Sequence, residues 1–168
     1  MSVLSSIENQ NFSIIIKYMM DDEKENLNVN EETLRNFFNF IYNPHLNGFR
    51  KIEIKDWAFP EQQSLAILIP LKHDDGRESG LTISTIVTED GIKLLGLIQT
   101  LYIAVILANW DSEKPQTDSD ELRRHWVKVT QDLVNDLERT GIKGVSMGMG
   151  ENTEYFTWQE IITRMSKN

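Results

Sequence analysis

Residues 144–148, read GVSMG, fit the G-x-S-x-G pattern that surrounds the nucleophilic serine of many hydrolases. Such a serine lies between a buried strand and a helix that starts directly after it. Here the preceding GIKG predicts only a short strand broken by glycine, and the following MGMGEN is a poor start for a helix. The hydrolase order also places a histidine after the serine, whereas no histidine follows His125. We therefore expect a coincidental match and a turn that joins a short edge strand to the last helix.

His73, Asp74 and Asp75 are the clearest cluster of potential metal ligands. Zinc and iron sites need three or four nitrogen, oxygen or sulfur ligands that converge in space, and this turn supplies only part of such a set. The glycines of the GVSMGMG segment match neither the dinucleotide-binding pattern nor a P-loop. We therefore expect no metal, no cofactor and no catalytic residues. The alternative, a small hydrolase-like or metal-dependent enzyme that uses His73, Asp75 and His125, stays open.

The composition is that of a folded, acidic protein without cysteine. The chain has 168 residues, of which 40% are hydrophobic and 26% charged, so we expect one globular domain over residues 1–168 with its own core. The absence of cysteine excludes disulfides, thiolate metal sites and thiol nucleophiles. The net charge of −9 argues against binding to nucleic acid, because phosphate contacts need a surplus of Lys and Arg. It is compatible with a basic protein partner.

Two segments concentrate the negative charge. Residues 21–32 hold six acidic residues and one lysine, and residues 111–121 hold five acidic residues and one lysine. Both segments are predicted to lie in loops or first helical turns, where side chains reach solvent. They form one negative face if they converge in the fold and two separate solvated loops if they do not, and the sequence leaves both arrangements open. The candidate partner-binding residues are Asp21, Asp22, Glu23, Glu25, Trp110, Asp111, Glu113, Asp118, Asp120 and Glu121.

Three helices have specific boundary signals. One is predicted to start at Asn30, an N-cap residue followed by two glutamates. The second covers residues 118–140, with an apolar stripe along one face and Gly141 at its end. The third opens at Thr157, which forms a capping box with Glu160.

Three strands are predicted from alternating or β-branched sequences, over residues 49–55, 64–72 and 81–88. The last two are expected to form a hairpin with a long, turn-rich loop. Residues 92–110 predict a further helix, with a pair of buried strands as the competing interpretation, and residues 12–18 fit a strand or a helix. Because the strands adjoin one another in sequence, we expect an α+β fold, with a small, mostly antiparallel sheet of three to five strands packed by about four helices.

No segment predicts membrane insertion or export. Residues 92–108 are the most apolar, but they include a lysine, and acidic rather than basic residues flank them. The N-terminus lacks the basic start and the apolar run of a signal peptide. We therefore expect a cytoplasmic protein.

By elimination, these observations favour a non-enzymatic binding protein. Its carboxylates would substitute for the phosphates that a basic partner binds, and Trp110 or Trp57 would supply an apolar anchor. We expect an inhibitor of the immunity type, which masks the basic surface of a partner such as a bacterial nuclease-type toxin. A secretion-type chaperone and a structural subunit of a homo-oligomer remain alternatives.

Overall fold

The computed structural model describes residues 3–41, 53–59, 62–72, 76, 78–110, 119–148 and 152–166. These ranges contain both helices and antiparallel strands, so the predicted α+β class is confirmed. The elements in chain order are α1 Val3–Glu8, α2 Phe12–Tyr18, α3 Asp21–Leu27, α4 Glu31–Ile41, β1 Glu53–Phe59, β2 Gln62–Lys72, β3 Glu78–Thr88, β4 Gly91–Leu95, α5 Leu97–Trp110, α6 Ser119–Arg139, β5 Gly144–Met147, β6 Glu154–Thr157 and α7 Trp158–Ser166.

Asparagine side chains cap two of the helices that precede the sheet. At the start of α2 the Asn11 side chain accepts a hydrogen bond from the Ile14 N–H (3.4 Å), so residues 12–18 are helical rather than extended. At the start of α4, Asn30 and Thr33 cap each other. The Asn30 Oδ1 accepts from the Thr33 N–H at 3.0 Å, and the Thr33 Oγ1 accepts from the Asn30 N–H at 2.9 Å. The predicted start of α4 is therefore confirmed.

Strands β1 to β4 form one antiparallel sheet whose spatial order follows the sequence. β2 and β3 make the predicted hairpin, in which Ile69 pairs with Ile83 and both side chains are buried. β1 covers Glu53–Phe59, later than the predicted strand over residues 49–55. Residues 49–52 of that prediction lie outside the described residues.

The chain between residues 92 and 110 divides at Gly96 into a strand and a helix. β4 ends at Leu95, and α5 starts at Leu97. Gly96 between them has a φ of +63°, a left-handed conformation that glycine adopts without steric cost. The predicted helix is therefore correct from Leu97 onward, whereas residues 92–95 form a single, partly exposed strand and not one of a pair of buried strands.

Helix α5 supplies much of the core. Leu97, Ile98, Leu101 and Ile106 are at most 2% exposed, and the helix packs against β3, α4, α6 and β5. A helix that is covered from several directions is apolar around most of its circumference, which explains the uninterrupted apolar sequence. Among the described residues, no helix combines the length and the apolar character needed to cross a bilayer.

Helix α6 starts and ends within about one residue of the predicted bounds, and α7 starts directly after the predicted N-cap Thr157. α6 buries Val129 and Leu137 of its predicted stripe and is followed by Gly141, whose φ of +91° is typical of a helix C-terminus. At the start of α7 the Thr157 Oγ1 accepts a hydrogen bond from the Glu160 N–H (3.1 Å). The predicted N-cap is therefore present.

The described residues hold seven helices, whereas the sequence predicts about four. The short helices α1, α2 and α3 have only six or seven residues each. A helix of that length completes about two turns, so its apolar residues repeat too few times to show a period. The sequence also does not predict β6, which pairs with β5 in a separate two-stranded sheet.

Trp158 connects the last helix to the rest of the core. Its indole Nε1–H donates to the Ile142 carbonyl oxygen at 2.8 Å, and its ring lies 6.5 Å from the Phe37 ring and 5.1 Å from the Tyr102 ring. The side chain is 2% exposed. One residue thereby joins α4, α5 and α7 to the segment that leads into β5.

We expect Trp158→Phe to lower the free energy of unfolding by about 1–3 kcal/mol, because it leaves the buried Ile142 carbonyl without its donor. Trp158→Ala also creates a cavity and should cost about 3–5 kcal/mol. Urea unfolding monitored by circular dichroism measures both values, with the exposed Gln159→Ala as control. Equal stability of Trp158→Phe and wild type would show that the hydrogen bond contributes nothing.

Candidate functional site

The acidic segment that follows α2 is a helix. The predicted loop is wrong for the start of the first acidic segment, because residues 21–27 form α3. Three acidic residues occupy its first turn, where the positive end of the helix dipole stabilises them. Asn28 ends the helix in a left-handed conformation with φ of 56°, which asparagine tolerates better than most residues.

Most carboxylates of this region reach solvent. We call the exposed acidic side chains of α3 and of the first turn of α4 the α3–α4 acidic surface; they are Asp21, Asp22, Glu25, Glu31 and Glu32. Lys24 pairs with Asp21 at 3.1 Å, and Arg35 pairs with Glu31 at 3.3 Å. In the part of the chain that the structure describes, the other three carboxylates have no cationic partner. The surface therefore carries uncompensated negative charge.

Glu23 points in the opposite direction from these carboxylates. It is 4% exposed, so the prediction that the side chains of this segment reach solvent is wrong for Glu23. Its carboxyl group accepts a hydrogen bond from the backbone N–H of Ile98, in the first turn of α5. Its Oε1 is buried and has no hydrogen-bond partner among the described residues.

Burial raises the pKa of Glu23 from 4.5 to about 7, although the Ile98 hydrogen bond acts in the opposite direction. Removing a carboxylate from water disfavours its charged form, and a single N–H donor at a helix N-terminus offsets only part of that cost. Glu23 is therefore uncharged in a substantial fraction of molecules at neutral pH.

Tyr155 on β6 lies close to the buried side of α3. Burial raises the pKa of its hydroxyl, and the nearby negative charges of Asp22 and Glu23 raise it further. Tyr155 pairs with Ser146 across the two-stranded sheet. Helix α3, the start of α5 and this sheet therefore meet at Glu23.

The two acidic segments do not form one face in the described residues. The Asn28 side chain donates to the Gly141 carbonyl at 3.0 Å, and the Asn36 side chain donates to the Thr140 carbonyl at 3.3 Å. The start of α4 therefore lies at the C-terminal end of α6. Asp120 and Glu121 are exposed in the first turn of α6, and a helix of that length spans about 30 Å.

The other predicted residues of the second segment are not described. Asp111, Glu113 and Asp118 lie outside the described residues. Trp110 is the last residue of α5, but its side chain is outside what the structure describes, as is that of Trp57 on β1. The proposed tryptophan anchors therefore stay predictions.

The serine motif has a different local structure from a nucleophile elbow. Ser146 is 8% exposed within β5, and the next element in the described residues is the strand β6 instead of a helix. His73, Asp74 and Asp75 lie outside the described residues, and His125 is half-buried on α6. Among the described residues, no group of three or more His, Asp or Glu is placed to hold a metal ion.

Comparisons with protein-family models, with curated proteins and with solved structures found no match to this chain. The contacts described above are therefore the basis for assigning a function.

Sequence reasoning missed the inward orientation of Glu23, although a signal for it exists. Glu23 and Leu27 are spaced four residues apart within α3, and Leu27 is 1% exposed. A helix places such residues on one face, so recognising α3 as a helix would have placed Glu23 on the same face as a core residue. The partners Ile98 and Tyr155 have no comparable signal, because they are distant in sequence.

The pKa of Glu23 makes the stability of the fold depend on pH. The pKa of this carboxyl is about 7 in the folded chain and returns to its ordinary value of 4.5 on unfolding. Unfolding at a pH between these two values therefore releases a proton. The free energy of unfolding therefore falls as pH rises through this range and is insensitive to Glu23 above it. We expect Glu23 to account for a loss of roughly 2 kcal/mol between pH 5 and pH 8.

Urea unfolding of Glu23→Gln at these two pH values tests this expectation, because glutamine keeps the shape and cannot ionise. The variant should lack this part of the pH dependence, whereas Glu25→Gln, on the exposed side of the same helix, should retain it. Identical pH dependence in Glu23→Gln and wild type would contradict the assignment.

Proposed function

We propose that this chain is a non-enzymatic protein-binding protein whose α3–α4 acidic surface masks a basic surface of a partner protein. The observation that carries the proposal is the run of five exposed carboxylates within residues 21–32, of which only two pair with a described cation. The partner class that fits best is a basic nuclease-type toxin of bacteria, which makes this chain an inhibitor of the immunity type.

Charge complementarity supports this choice of partner. A protein that binds nucleic acid presents Lys and Arg to phosphates, and exposed carboxylates can occupy the same cationic groups. The net charge of −9 adds a long-range attraction that accelerates and orients the encounter with a positive partner. Binding of this kind weakens as salt rises, because the ions screen exposed charges.

An apolar side chain borders the acidic surface. Met20 directly precedes α3 and is 37% exposed, although large apolar side chains usually avoid water. Methionine is enriched at protein interfaces because its flexible thioether adapts to different partners. Met20 is therefore the described residue best placed to act as an apolar anchor beside the carboxylates.

The test compares two triple charge reversals that change the net charge equally. Asp22→Lys, Glu25→Lys and Glu32→Lys remove the uncompensated carboxylates of the α3–α4 acidic surface. The matched control reverses exposed acids elsewhere, namely Glu78, Glu89 and Asp132. The ligand is the basic protein that co-purifies with this chain or is encoded beside it, and calorimetric titration at low and high salt measures the affinity.

We expect the first triple variant to bind at least tenfold more weakly than wild type, a loss of about 1.4 kcal/mol, and the control to stay close to wild type. Wild-type affinity should fall as salt rises. Equal losses in both variants would mean that only the net charge matters. Unchanged affinity in the first variant would exclude this surface as the binding site.

A further inference from the structure

Helix α3 is attached to the rest of the fold by few contacts. Only Glu23 and Leu27 are buried along its length, and its N-terminus has no side-chain cap. Its C-terminal end is held by hydrogen bonds from the Lys143 N–H to the Leu27 carbonyl (2.9 Å) and from the Asn28 side chain to the Gly141 carbonyl (3.0 Å). A helix of seven residues is not stable alone in water. The contacts of Glu23 are therefore a large part of what docks α3.

The position of Glu23 suits an uncharged carboxyl group better than a carboxylate. One oxygen accepts from the Ile98 N–H, while Oε1 is buried without a partner among the described residues. An ionised carboxylate that is removed from water needs several donors or a cation to offset the lost hydration. The single N–H and the dipole of α5 supply only part of this requirement.

The elements around Glu23 supply no compensating cation. α5 and β5 contain no Lys, Arg or His, and β6 contributes Tyr155 and Glu154. Tyr102 is the one titratable side chain on α5. On α3 itself, Asp22 adds a negative charge, and Lys24 is paired with Asp21. Lys143 precedes β5 and is exposed.

We propose that Glu23 makes the docking of α3 dependent on pH, because the protonated carboxyl holds α3 against α5 and β6 whereas the ionised carboxyl favours its release. This inference goes beyond the proposed function, since it concerns the attachment of α3 whether or not a partner is bound. Release of α3 changes the position of Asp21, Asp22 and Glu25 relative to Glu31 and Glu32. Rising pH therefore loosens the arrangement of these carboxylates.

Hydrogen exchange measured between pH 5 and pH 8 tests the proposal. The reporters are the hydrogen-bonded amides of residues 24–29 and the Lys143 amide, whose hydrogen bond to Leu27 exists only when α3 is docked. After correction for the intrinsic exchange rate, we expect the opening equilibrium of these amides to rise roughly fifty- to a hundredfold in wild type. In Glu23→Gln the rise should be absent, and in the matched control Glu25→Gln it should equal that of wild type.

An internal reference keeps the test decisive even if Glu23→Gln does not fold. Residues 129–137 of α6 report opening of the core in the same wild-type sample. A pH-dependent opening of the α3 reporters supports the proposal if its equilibrium constant is clearly larger than that of residues 129–137, which rises with pH only through opening of the whole fold. A pH-independent α3 opening overturns it, and so does an α3 opening constant equal to that of α6 at every pH, because α3 would then be released only when the whole fold opens.

Discussion

The burial of a single carboxyl group, that of Glu23, is the constraint on which the acidic part of this structure depends. Helix α3 has seven residues and exposes carboxylates on its outer side, so its attachment relies on the two side chains that it buries. One of these is Leu27, and the other is ionisable. The free energy of a buried carboxyl group depends strongly on its protonation state, whereas a buried leucine has no group that ionises. The attachment of the acidic helix is therefore tied to proton concentration.

The core explains why a carboxyl group is tolerated at this position. Leu97 and Ile98 at the start of the apolar helix α5 are fully buried, so the N–H groups of these residues, which have no partner within the helix, need an acceptor from another element. Glu23 supplies an acceptor for one of them, at Ile98. Glu23 also lies near Tyr155 of β6, and the other side of α3 faces solvent. The core helix thereby determines which acidic residues are displayed and which one is hidden.

The sequence predicts the elements that have strong local signals. It does not predict the elements and side-chain orientations that depend on tertiary contacts. Asn30 and Thr157 are recognised because capping depends on residues within one helical turn. Helix α3 is missed because its charged composition suggests a solvated loop, and the inward position of Glu23 depends on Ile98, which is distant in sequence. The acidic composition of residues 21–32 is evident from the sequence. Only the fold shows that most of the length of α6 separates these acidic residues from Asp120 and Glu121.

The most direct measurement of the central claim is the titration of the Glu23 side chain. Carbon NMR of the side-chain carboxyl, assigned by comparison with Glu23→Gln, gives its pKa in the folded wild-type protein. The account predicts a midpoint of about 7 for Glu23, well above the ordinary value for a glutamate. A midpoint near the ordinary value of 4.5 would show that Glu23 is hydrated or paired, and it would contradict the account.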